Sequence, residues 1–307
     1  MLSKQLGYSR DAEREADRFG LSTLQNAGFD PLGMEAFFER LQQNNRWYEN
    51  ASTAYISTHP MTSERMSDMQ NRTRHMSPVT HRDSMDFFLV KARARVLQET
   101  TYDGWLKVSK SFENELKRHP AGYSLVATQY GLSVAYAKMN QKDKALTAIR
   151  AAKAASKENS VILDKHLAEL TYQVAKTQAQ KDQALALAKS TCNQYPYSGL
   201  AASNYVELLF QSGKHQELVN YLRNQSALSR SNPDYHMYLA RSYEALGKKS
   251  MAFAATGDMY ALLDNPRAAV YQFELAQKAN DGDFYIMSEI DAKLREQRQK
   301  VLDQKKD

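Results

Sequence analysis

The sequence predicts an all-α protein in two parts, and three observations carry that expectation. From Asp86 almost to the end, glycine and proline are sparse and apolar residues recur three or four apart. Within that stretch, the middle residues of Gln183-Ala184-Leu185, Glu217-Leu218-Val219 and Met251-Ala252-Phe253 stand 34 positions apart, which is the tetratricopeptide period. Ahead of it, Ser9 to Gly20 has the pattern of a capped amphipathic helix, followed by a more polar region. The expected domains are residues 1–85 and 86–307.

Composition narrows the class. The chain has 307 residues, 42% of them hydrophobic and 25% charged, enough for about two domains with a substantial core. No run of ~18 apolar residues exists, so no transmembrane helix is expected. The opening MLSKQLGYSR lacks the apolar stretch of a signal peptide. The single cysteine, Cys192, excludes an internal disulfide. The net charge of +6 divides unevenly: residues 1–85 hold ten Lys/Arg against eleven Asp/Glu, and the remainder 31 against 24. That excess is spread over many helices with no dense basic run, so no nucleic-acid partner is expected.

The first element is Ser9-Arg10-Asp11-Ala12-Glu13-Arg14-Glu15-Ala16-Asp17-Arg18-Phe19-Gly20. Ser9 is a good N-cap, and acids follow where the helix dipole favours them. Ala12, Ala16 and Phe19 fall on one face, with Glu13 and Asp17 beside them one turn apart. Such a carboxylate pair can bind a metal through one member while the other orients a neighbouring ligand. It can equally be a solvated helix whose acids pair with Arg10, Arg14 and Arg18.

Asn26-Ala27-Gly28 then reads as a stop, and Asp30-Pro31 opens a second helix with Met34, Phe37, Phe38 and Leu41 on its apolar face. Gln42 to Ser57 reads as a loop that carries Trp47, Tyr48 and Tyr55. Thr58-His59-Pro60 follows, and a third helix starts near Thr62 and runs through Glu64, Arg65, Met66 and Met69.

E-x-x-A-D followed by an aromatic-Gly step resembles the third-ligand helix of the HtpX-like gluzincin metallopeptidases. By position, the resemblance makes Glu13 the third zinc ligand and Asp17 its hydrogen-bonding neighbour, with Glu15 the lesser alternative. Thr-His-Pro with an arginine six residues after the histidine recurs in that family too. It places His59 near the metal as a possible regulatory fourth ligand and Arg65 as support for the site. The plain alternative is that His59-Pro60 only caps the next helix. The family's other two ligands and its general base come from H-E-x-x-H, and none of the seven histidines here begins that motif. The expectation is the C-terminal end of such a domain, inactive alone and holding no zinc stably, with zinc in the intact parent.

The second part reads as a repeat stack. Helices near 86–98 and 102–117 begin it. Lys144-Ala145-Leu146, with Ile149 and Ala152, starts an earlier unit 39 residues before Ala184, so a longer connection is expected there. Leu239, Ala240 and Tyr243 open a further helix, and Gly247 turns it. Phe253, Gly257 and Tyr260 with Ala269, Phe273 and Ala276 match another unit, small residues alternating with large ones that fill the gaps. The helix near 250–262 serves two successive units, and the basic tail from Asp291 ends in a fraying helix. Stacked, these units make an α-solenoid with a concave face, on which Tyr205, Tyr235 and Tyr238 are candidate partner contacts.

A gluzincin end joined to tetratricopeptide repeats resembles periplasmic proteases of Gram-negative bacteria that double as chaperones. The resemblance implies periplasmic location and, as partners, the outer-membrane protein assembly machinery and its β-barrel clients. The rival reading is a non-enzymatic repeat adaptor whose first helices only cap the stack.

Overall fold

The computed structural model describes residues 2–45, 63–80, 83–225 and 232–304, and among them forms fifteen α-helices and no strand. The chain divides into two compact units, Met1–Ser84 and Met85–Asp307.

The first unit contains α1 (Leu2–Asn26), α2 (Leu32–Asn45) and α3 (Ser63–Thr73). Ser9 does not cap α1, because the helix already begins at Leu2 and Ser9 lies inside it. Gly28, with φ of 75°, ends the connection as expected of a left-handed position. The Asp30 carboxylate accepts from the Leu32 N–H at 3.1 Å and so caps α2, which starts one residue past Pro31. The predicted loop from Gln42 is helical as far as Asn45; Trp47, Tyr48, Tyr55 and His59 lie outside the described residues. A small core of Leu21, Phe38, Met66 and Met69 joins the three helices, with Met34 and Leu41 against it.

The second unit runs α4 (Met85–Leu97), α5 (Tyr102–Leu116), α6 (Gly122–Lys138), α7 (Lys142–Ala155), α8 (Val161–Val174) and α9 (Gln178–Gln194). It continues with α10 (Gly199–Gln211), α11 (His215–Asn224), α12 (Pro233–Ala245), α13 (Lys249–Leu262), α14 (Pro266–Ala279) and α15 (Phe284–Asp303). Local chemistry sets the breaks. Thr177 and Gln180 form a reciprocal capping box at α9, Asn265 caps α14 ahead of Pro266, and Gly213 and Gly247 take positive φ after α10 and α12. Short connections turn each helix back against the one before it.

Packing is between neighbours. One core spans α4 to α8, a second α8 to α13, and a third α13 to α15, so each shares a helix with the next. The residues that marked the repeat explain this. Ala145, Ala184 and Leu218 are fully buried, and Ala252 is half-buried on α13, which packs on both α12 and α14. Gly257 is required by contact: a Cβ there would come within 2.8 Å of the Phe273 ring. The wider spacing before Ala184 corrects the expected long connection. Part of it is extra helix, since Ala184 is the seventh residue of α9 whereas Leu218 and Ala252 are the fourth of theirs.

A buried polar cluster ties α6, α7 and α8. Ser133 Oγ donates to the Ala145 carbonyl at 2.7 Å and meets His166 Nε2 at 3.1 Å. Having spent its only proton on the carbonyl, the hydroxyl accepts from Nε2–H, while Nδ1 lies 3.7 Å from Glu169 Oε2. Burial holds His166 below its ordinary pKa, against the pull of Glu169. Burial alone would raise Glu169, but His166 facing it and the ammonium of Lys165 bring it down to about 2. Both groups therefore bind protons more weakly folded than unfolded. His166 contributes stability above its unfolded pKa of ~6.5 that is lost as pH falls through it; Glu169's contribution survives to lower pH. Denaturant melts between pH 7 and 5 should show the stack weakening with acid. His166→Gln, which keeps a donor for Ser133, should flatten that slope by at most ~1.4 kcal/mol per pH unit. An unchanged slope would remove His166 from the explanation.

Candidate functional site

Of the four described residues singled out for the peptidase-like end, α1 and α3 bring together three, Glu13, Asp17 and Arg65. Glu13 and Asp17 stand one turn apart on α1 and face inward; Leu21 follows on the same stripe and belongs to the core. Ala12, Ala16 and Phe19, expected on the apolar face, are exposed instead, Phe19 by 66%. The reason is on α3. Arg65 donates to Asp17 through a two-pronged fork, Nε to Oδ2 and Nη2 to Oδ1, each at 2.7 Å. Its Nη1 also lies 3.2 Å from Glu13 Oε2. The side chains of Asp17, Arg65 and Glu13 keep only 8%, 11% and 16% of their surface in solvent. Two carboxylates can be buried because one guanidinium neutralises and hydrogen-bonds them both.

The Phe38 ring from α2 packs under the guanidinium, 5.5 Å from its carbon. Arg14 adds an outer tie to Glu64 at 3.1 Å. The pairing of acids with local arginines holds for Asp11 with Arg14, at 3.5 Å; Glu13 and Asp17 use Arg65 instead. Glu15 is exposed, away from the cluster. The resemblance singled out Arg65 as support for the site, but no sequence signal announced the Phe38 contact or that the support is a fork on Asp17, 48 residues away.

As a metal centre the cluster is partial. Asp17 gives both oxygens to Arg65, and among the described residues no group of three or more His, Cys, Asp or Glu is placed to hold a metal ion. Zinc takes three or four protein ligands, so the described residues do not by themselves fit it.

In the second unit, Tyr205 and Tyr235 correct the expectation that they line an open groove. They are only 2% and 3% exposed. The Tyr205 hydroxyl donates to Glu217 at 2.6 Å and that of Tyr235 to the Gly199 carbonyl at 3.3 Å, so both rings are buried with their polar ends satisfied. Tyr238 is half-buried, edge-on to Phe210 at 5.3 Å. Cys192 is buried, and burial pushes its thiol up despite the Tyr221 hydroxyl that donates to it.

Residues 2–73 match the family described as Peptidase family M48. The chain is 26% identical over 265 residues to the β-barrel assembly-enhancing protease of Escherichia coli strain K12, covering 84% of this chain and 50% of that protein. It is 26% identical over 298 residues to the putative β-barrel assembly-enhancing protease of Vibrio cholerae, covering 95% and 59%. Among solved structures, a tetratricopeptide repeat protein from Parabacteroides merdae superposes with a TM-score of 0.42 at 11% identity, over 85% of this chain and 98% of that one. The chain thus resembles the β-barrel assembly-enhancing proteases over most of its own length and spans about half of theirs.

Proposed function

We propose that the chain is the C-terminal portion of a periplasmic zinc metalloendopeptidase and chaperone that acts in outer-membrane protein assembly and quality control. Residues 1–85 are the end of its peptidase domain, and residues 86–307 are its protein-recognition arm. The observation that carries this reading is the buried Glu13–Asp17 pair, held by Arg65 inside the stretch that matches the peptidase family. A buried carboxylate pair is costly for a helix that merely caps a stack, and a metal site gives it a purpose. In this reading Glu13 supplies one zinc ligand and Asp17 positions a neighbouring ligand. His59 is a fourth ligand that restrains the enzyme, and the remaining ligands and the general base lie outside this chain. Stacked helix pairs that contact only their neighbours leave long faces available for extended protein clients.

The longer protein, purified and given an unfolded outer-membrane β-barrel protein, tests the reading. It should carry about one zinc per chain, the count of a single catalytic site. It should degrade the client, lose that activity to a chelator and regain it when zinc is restored. The present chain should capture the client without cleaving it. Proteolysis indifferent to chelator, or a longer protein without zinc, would refute the assignment.

A further inference from the structure

The last repeats carry a trough whose floor is one face of α13 and whose walls are α12 and α14. It has a volume of about 660 Å³. Met237, Phe253, Met259 and Leu275 give it an apolar lining, and the two methionines can adapt to varied shapes. Three cations stand on its rim, Arg241, Lys249 and Lys278, against a single acid, Glu244. All three are exposed, and among the described residues none has a carboxylate partner for its side chain; the Arg241 guanidinium rests over the Phe210 ring at 5.8 Å.

The opposite face of α13 shows the contrast. There Met251, Ala254 and Asp258 border a smaller cavity, of about 190 Å³, lined by Arg223 and by Lys293, whose charge is already neutralised. Lys293 lies 2.9 Å from Asp258 and 2.8 Å from Glu289. The trough combines an apolar lining with three cations that have no carboxylate partner among the described residues. A trough one helix wide between two walls accepts a single peptide segment.

We propose that this trough is a docking site for a peptide segment that presents apolar side chains flanked by carboxylates. The apolar side chains cover the methionines and Phe253, and the carboxylates meet Arg241, Lys249 and Lys278. The proposal deepens the recognition-arm reading and rests on it for the expectation that the partner is a protein.

Fluorescence anisotropy on the full chain tests it with two labelled peptides, one rich in leucine and phenylalanine with glutamates at both ends, the other its twin with lysine in place of each glutamate. The glutamate peptide should bind about tenfold more tightly than its twin, and less tightly as salt rises. Arg241→Glu with Lys278→Glu changes only exposed side chains and should reverse the preference while leaving the circular dichroism spectrum unchanged. Equal affinity for the two peptides, or a preference that survives the double replacement, would overturn the proposal. So would sedimentation showing that the face pairs two copies of the chain and that Arg241→Glu separates them. The two readings fail separately. Absence of a peptide preference beside intact capture of an unfolded β-barrel client removes the trough alone, whereas lost capture beside an intact preference removes the recognition arm as proposed.

Discussion

Glu13→Gln in the longer protein should bring proteolysis to background and strip zinc, while leaving the helices of both units folded. The amide keeps the shape of the side chain but not the negative charge that a zinc ligand supplies. Its loss should exceed the ~10–100-fold expected of an outer change such as Asp17→Asn, because Glu13 is read as touching the metal itself. Folding is protected by the fork geometry. Arg65 reaches Glu13 with one nitrogen at 3.2 Å but holds Asp17 with two bonds at 2.7 Å, and those remain. The stability cost should stay below ~2 kcal/mol. Glu15→Gln is the control, since that side chain is exposed and away from the cluster. Metal analysis and a client-degradation assay on both variants decide the matter. Full activity in Glu13→Gln, or equal losses in the two, would move the ligand elsewhere.

The stack was legible because its information is local and repetitive. Small residues at Ala184 and Ala269, and large ones at Phe273 and Tyr243, sit where helix pairs demand those sizes. The peptidase-like end was legible in kind but not in orientation. Periodicity puts Ala12, Ala16 and Phe19 inward, because it scores carboxylates as surface groups; an arginine 48 residues on reverses that preference for Asp17. Ser9 misled for a different reason. A good cap residue is also tolerated within a helix, and α1 begins at Leu2. Tyr205 and Tyr235 looked like amphipathic groove contacts, but nothing in their own spacing tells that Glu217 and the Gly199 carbonyl wait to receive their hydroxyls. The misreadings at Asp17, Tyr205 and Tyr235 trace to a polar group whose partner comes from another helix.

Arg65→Met should unfold or loosen the first unit and leave the second intact. Asp17 is 6% exposed, and its described bonds to both carboxylate oxygens come from the one guanidinium. Removing that guanidinium leaves a buried carboxylate without its counter-charge, a change that costs ~3–5 kcal/mol. Loss of the Phe38 contact and of the link to Glu13 adds to it. Among the described residues the apolar core around the fork is small, made of Leu21, Phe38, Met66 and Met69, so such a cost is a large share of what holds the unit together. Hydrogen exchange read separately over residues 11–41, 64–73 and 85–225 should show protection lost in the first two segments and kept in the third. Pairing Asp17→Leu with Arg65→Met removes the stranded charge and should recover much of the protection, since an apolar pair can replace a buried ion pair at little cost. Unchanged exchange in the single variant would mean the fork is incidental. A double variant no better protected than the single one would place the loss in packing around Phe38 and not in the charge.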